Sequence, residues 1–231
     1  MRHSTIFSLF PLLSLCATAV TVAAAAEPVT VALPTPLYRA LTAGADPEHA
    51  AGLRGQLRAA LLGDGTRPAW DADCEQDRQD SDAAPGLWRQ RLSDGSWLLR
   101  VECSAGAYQG SFWAVQLWRQ AGPAEPGRAA LLTWRVPRQN ADGSRGSAFT
   151  LSNEVVLWGE LSLPAAPAGG VQVEVVNRFR GIGDCGTRSR YRLHRGHVGI
   201  ATLAAVFSCP DTPATVPLGP ADWPVLSIFD R

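Results

Sequence analysis

The sequence predicts a mainly β protein, antiparallel, built as a sandwich, a partial barrel or two small sheets, with one N-terminal helix after an export leader. Three observations predict it. Apolar and polar residues alternate with a period of two through most of the chain after residue 66. Turn residues interrupt that alternation at short spacing, drawn from 22 glycines and 17 prolines. Four cysteines beyond the leader suit a chain stapled in an oxidising space.

The leader spans 1–26. Arg2 and His3 give a basic start, residues 6–22 are mostly apolar, and Ala24-Ala25-Ala26 offers a small-x-small cleavage site before Glu27 and Pro28. Its apolar run falls short of a span of about 20 residues, so no stable membrane insertion is expected. Lipidation at Cys16 is the rival reading, but in the preceding Leu13-Ser14-Leu15 the bulky Leu15 occupies a place where that reaction requires a small residue. The mature chain is therefore expected to be periplasmic or secreted.

Residues 27–66 form an extended arm and a helix. PVTVALPTP is spaced by prolines and reads as extended. In ADPEHAAGLRGQLRAALLGDG, Asp46 is a natural N-cap and Pro47 sits at the first helical position. Leu53, Leu57, Ala60 and Leu61 fall on one helical face, and Gly63 stops the run.

Residues 67–137 read as a first β half. GLWRQRL, SDGS and WLLRVEC make a hairpin with a glycine turn. In QGSFWAVQLWRQ, Trp113, Val115 and Leu117 share one face, and Phe112, Ala114, Gln116 and Trp118 share the other. ALLTWRV is a further strand. The polar, glycine-rich RQNADGSRG, 138–146, is the candidate boundary. Residues 147–231 form a second β half, with strands in AFTLSNEVVLWGELSL, VQVEVVNRF, SRYRLHR and HVGIATLAAVFSC, and with DWP near the end.

Cys74, Cys103, Cys185 and Cys209 permit three pairings. Nearest-neighbour pairing is favoured, because each pair brackets a similar order: Asp-Cys, an aromatic-Arg strand, a glycine turn, an apolar strand, Cys. That order raises the question of an internal duplication. Each bridge would contribute about 3 kcal/mol through the entropy of the unfolded chain. The cysteines lack the close spacing and nearby histidines of a zinc site, and no metal or cofactor is expected.

Charge excludes some partners. Lysine plus arginine balances aspartate plus glutamate at 21 each, and losing Arg2 with the leader leaves a slight acidic excess. Nothing here calls for nucleic acid or an anionic membrane. Every basic side chain is arginine, hence a bidentate donor.

RFRGIGDCG, 178–186, is the densest motif. A phosphate cradle would need a helix after the glycines, yet SRYRLHR reads as strand. Two readings stay open: an anion-binding nest flanked by Arg178 and Arg180, or a tight reversal in which Asp184 bonds the turn and Cys185 pins it. The second is favoured. His194 and His197 read as H-x-x-H across a hairpin turn, without a third ligand. Glu154, Glu160 and Asp184 are the carboxylates available for acid–base work, while no serine comes with an identifiable base.

RGIGDCG with an aromatic-Arg strand, a later cysteine and DWP resembles the C-terminal signature of domain-of-unknown-function family 1176, a family of secreted proteobacterial proteins. Arg180, Gly181, Gly183, Asp184, Cys185, Gly186, Cys209, Asp222, Trp223 and Pro224 carry the match. Cys103, Gly106, Ala107 and Tyr108 are similar to an earlier segment of that family, with Gln109 standing where the family has Asn. The resemblance implies an exported disulfide protein and brings no catalytic residue.

Two functions follow. The leading one is a non-enzymatic module that binds or inhibits an envelope protein or glycan through a tryptophan- and arginine-bearing β surface, with Arg178, Arg180, Asp184, Tyr108 and Trp223 as candidate binding residues. The alternative is a hydrolase using Glu154, Glu160 and Asp184.

Overall fold

A computed structural model describes residues 28–44, 47–63, 68–79, 86–119, 125–139, 149–165, 170–211 and 219–227. The predicted leader, Cys16 and the predicted cap Asp46 lie outside the described residues, as does most of 138–146. The architecture is mainly β: a curled antiparallel half-barrel, a small second sheet and a few helices.

The arm becomes β1 (Thr30–Leu33) and then, against the reading of PVTVALPTP as wholly extended, helix α1 (Thr35–Ala43). Pro34 precedes that helix and Pro36 lies in its first turn, where a missing N–H costs nothing. Helix α2 (Pro47–Leu62) follows, with Leu53, Leu57 and Leu61 buried as their spacing requires. A third helix, α3 (Ala69–Gln79), stands where strands were expected to begin. It is acid-rich and carries no full apolar stripe. Its Trp70 ring lies 5.8 Å from that of Trp113, its buried Asp71 pairs with Arg58 of α2, and Cys74 is disulfide-bonded to Cys103. Tertiary ties, more than its own periodicity, make it a helix.

The strands follow in order: β2 (Leu87–Arg91), β3 (Trp97–Ala105), β4 (Gly110–Arg119), β5 (Gly127–Leu131), β6 (Trp134–Gln139), β7 (Phe149–Glu154), β8 (Leu157–Ser162), β9 (Val171–Arg178), β10 (Gly186–His194) and β11 (His197–Val206). β4 is the centre. It pairs with β3 on one side. On the other, residues 115–119 take β5 and residues 110–112 take β8, from which β9, β10 and β11 continue the sheet. β6 and β7 form the small sheet.

The alternation read in β4 divides two cores. Trp113, Val115 and Leu117 face α1, α2 and α3 together with Leu99 and Val101. Phe112 and Ala114 face Leu98, Trp134, Val173 and Tyr191. Burying each large side chain contributes roughly 1.5–3 kcal/mol, so β4 anchors both layers. Tyr191 packs edge-on against Trp134 at 5.0 Å, its hydroxyl donates to the Arg135 carbonyl at 3.0 Å, and burial pushes its pKa up to about 12.

Candidate functional site

The two motifs lie in different halves of the chain, yet they meet. Residues 106–109 form the bend between β3 and β4, and residues 179–185 form the bend between β9 and β10. Gln109 joins them. Its Nε2 donates to Asn177 Oδ1 at 2.8 Å and to the Arg178 carbonyl at 2.9 Å, and Arg178 N donates to its Oε1 at 2.9 Å. Gln109 is therefore the clasp between the two bends. Tyr108 lies beside Gly181, where an added Cβ would come within 3.5 Å of the ring.

The bend is closed by its own bonds. Phe179 N donates to the Cys185 carbonyl at 3.1 Å and Gly183 N to the Arg180 carbonyl at 3.0 Å. Cys185 is bridged to Cys209. The Arg180 guanidinium makes a two-pronged pair with the buried Asp184 carboxylate and reaches the Pro210 carbonyl at 2.7 Å. That contact holds the Asp184 carboxyl below the usual range and raises Arg180. Arg178 pairs with Glu160 at 2.8 Å. Both arginines thus spend their donors on carboxylates of this chain, which disfavours the anion nest.

Gly181, Gly183 and Gly186 fall at G-x-G-x-x-G spacing, but strand β10, not a helix, follows them. Gly186, at φ +150°, is the glycine with the firmest physical reason. A Cβ there would clash with the Asn177 carbonyl and lie 2.7 Å from the Trp223 ring. Trp223 is 3% exposed and packs with Val176 and Ala204, so it is a wedge behind the bend and has no surface to offer a partner.

Exposure singles out other residues. Tyr108 is 43% exposed, Trp158 45%, Phe179 43% and Ile182 52%. Trp158, on the outer face of β8, lies within 3.9 Å of the Cβ position of Gly106, and with Phe179 it lines a cleft of about 250 Å³ that also takes in Arg138 and Glu154. Phe179 and Ile182 are not among the residues that the charges of RFRGIGDCG single out. The available signal was two large apolar residues inside a glycine turn that cannot bury both.

The three carboxylates of the hydrolase reading are not brought together. Glu154 lines that cleft and pairs with Arg138 at 2.9 Å; Glu160 lines another with Tyr108 and pairs with Arg178; Asp184 turns inward to Arg180. His194 and His197 face each other across the β10–β11 hairpin. Among the described residues, no three His, Cys, Asp or Glu side chains gather as a metal site, and no helix is long and apolar enough to cross a membrane. No family model, no curated protein and no solved structure matches this chain.

Proposed function

We propose that this chain is an exported, disulfide-stapled, non-enzymatic module that binds, and thereby inhibits or tethers, a protein of the cell envelope. The observation that carries this reading is the patch of Tyr108, Trp158, Phe179 and Ile182, exposed beside the Arg178–Glu160 pair at the junction of the two motifs. Aromatic side chains ringed by charge are the composition of an interface core and its rim. Of the two partner classes, protein and glycan, an apolar patch on a rigid turn favours the protein. The grouping with family 1176 belongs to the same proposal. Its support is that the matched residues Gly186, Trp223, Arg180 and Asp184 build one bend.

Capture from envelope extract tests the reading, with wild type beside a Tyr108→Ser, Trp158→Ser, Ile182→Ser variant. Recovery of a defined protein by wild type, lost in the folded variant, supports it. Recovery of nothing, or equal recovery by both chains, counts against it, and recovery of a glycan instead moves the partner to the other class.

A further inference from the structure

A further cleft, of about 540 Å³, opens between α1 and the turns at 93–96 and 195–196. That volume lies in the range of small-molecule sites, roughly 300–1,000 Å³. Arg91, Arg119 and Arg195 line it with His194, against one carboxylate, Asp94. Many guanidiniums outside the cleft reach a carboxylate, Arg58, Arg138, Arg178, Arg180, Arg188 and Arg190 among them. Among the described residues, Arg91 and Arg195 enter no such pair. Asp94 is occupied locally, its Oδ1 accepting from Ser96 N at 3.0 Å and Ser96 Oγ at 2.6 Å. In a chain without net charge, this cleft concentrates cation.

The frame beneath it is built from buried polar groups. Gln116, fully buried in the middle of β4, donates to Ser96 Oγ at 2.9 Å and accepts from Gly196 N at 2.8 Å. One amide therefore ties the β2–β3 turn, 20 residues before it, to the β10–β11 turn, 80 residues after it. The second is a two-residue loop with Arg195 at φ +46° and Gly196 at φ +87°, the pair of positive angles that a type I′ turn demands. Arg91, at the end of β2, and Arg195 are thus carried on turns fixed from below. Tyr38, Trp97 and Trp118 add aromatic rings to a wall that is otherwise mostly polar. Trp97 and Trp118 are half-buried, and the Arg119 guanidinium lies 4.7 Å from the centre of the buried Tyr38 ring.

We infer that this cleft binds an anionic sugar, a pyranose ring carrying a phosphate or a carboxylate. Guanidinium forks match the oxygens of either group bidentately. The electropositive C–H edge of the ring suits the electron-rich face of an indole. A bare anion would use the arginines and make no contact with the Trp97 and Trp118 rings.

Titration of the folded, oxidised protein with glucose 6-phosphate, glucuronate, glucose and inorganic phosphate, followed through the tryptophan indole NMR signals, tests the inference. At least one charged sugar is expected to saturate with the Trp97 and Trp118 signals moving, neutral glucose not to saturate, and inorganic phosphate to bind at least ~10-fold more weakly. Preference for glucose 6-phosphate identifies phosphate as the recognised group, and preference for glucuronate the carboxylate. The exposed pair Arg91→Gln with Arg195→Asn, an Asn being tolerant of positive φ, is expected to weaken binding at least ~10-fold without lowering the melting temperature. Failure of both charged sugars to saturate by about 10 mM, equal binding of inorganic phosphate, or unchanged affinity in the double variant each overturns the proposal.

Discussion

Gln109 and Arg178 clasp each other as two β-strand residues would: the Arg178 N–H donates to the side-chain carbonyl, and the side-chain amide returns to the Arg178 carbonyl, both at 2.9 Å. A side chain here stands in for a strand, and it joins stretches 69 residues apart. Gln109→Ala strips the Arg178 N–H and carbonyl of their partner and is expected to cost about 2 kcal/mol. Gln109→Asn, one methylene short of the same reach, should recover only part of that. Urea denaturation reads both, as a lower midpoint with an unchanged slope.

Gly186 is expected to be the least replaceable glycine of the bend. Gly186→Ala should cost about 2–3 kcal/mol, since the new methyl meets the Asn177 carbonyl and the Trp223 ring and the backbone is held at positive φ. Gly95→Ala is the control. Gly95 has φ +82° but open space around its Cβ position, so only backbone strain remains, roughly 1 kcal/mol. Thermal melts of the two variants separate crowding from conformation.

The bridges pair Cys74 with Cys103 and Cys185 with Cys209, across 29 and 24 residues. Peptide mapping of residues 27–231 without reductant should recover these two crosslinked peptides and no free thiol. Replacing either pair by alanines should lower stability by roughly 3.5 kcal/mol in the loop-entropy account. Four free thiols in that chain would remove the argument for export.

Stability should fall in acid. Asp184 is held low by Arg180. For Glu174, burial pushes the pKa up, and the hydrogen bonds and charges of Arg190 and Arg188 outweigh it, leaving it lowered overall. A group whose folded pKa is depressed stabilises the fold above its unfolded value, about 4 for these carboxyls, and that contribution is lost as pH falls through the folded value. Melting temperature should hold through neutral pH and drop below about pH 4. Asp184→Asn should lower it at pH 7 and flatten the drop.

The sheet was legible because alternation survives burial on both faces: in β4 the same pattern that ordered Trp113, Val115 and Leu117 against Phe112 and Ala114 assigned them to two cores. Helix α2 was legible from three leucines and a proline. Helix α3 was not, because its contacts are a disulfide, an ion pair and one tryptophan, none of which leaves a period in the sequence. For the same reason the parallel drawn between the cysteine pairs holds for their bonds and not for their surroundings: Cys74 is helical, while Cys185 closes a bend. At the candidate site, Arg178, Arg180 and Asp184 drew notice by charge, yet their charges are spent on Glu160 and on each other. Trp223 drew notice by size and is buried. Exposure depends on which loops meet, and that is long-range information.

Each crosslink closes a loop within one half of the chain, and neither joins residues before 140 to residues after 148. A single backbone cut in that interval would release two fragments, each keeping its own staple. Only noncovalent ties, such as the Gln109 clasp, the Gln116 link and the short β4–β8 pairing, would then hold them together. The fold therefore supplies a natural split pair, whose halves should part in denaturant and find each other again on its removal.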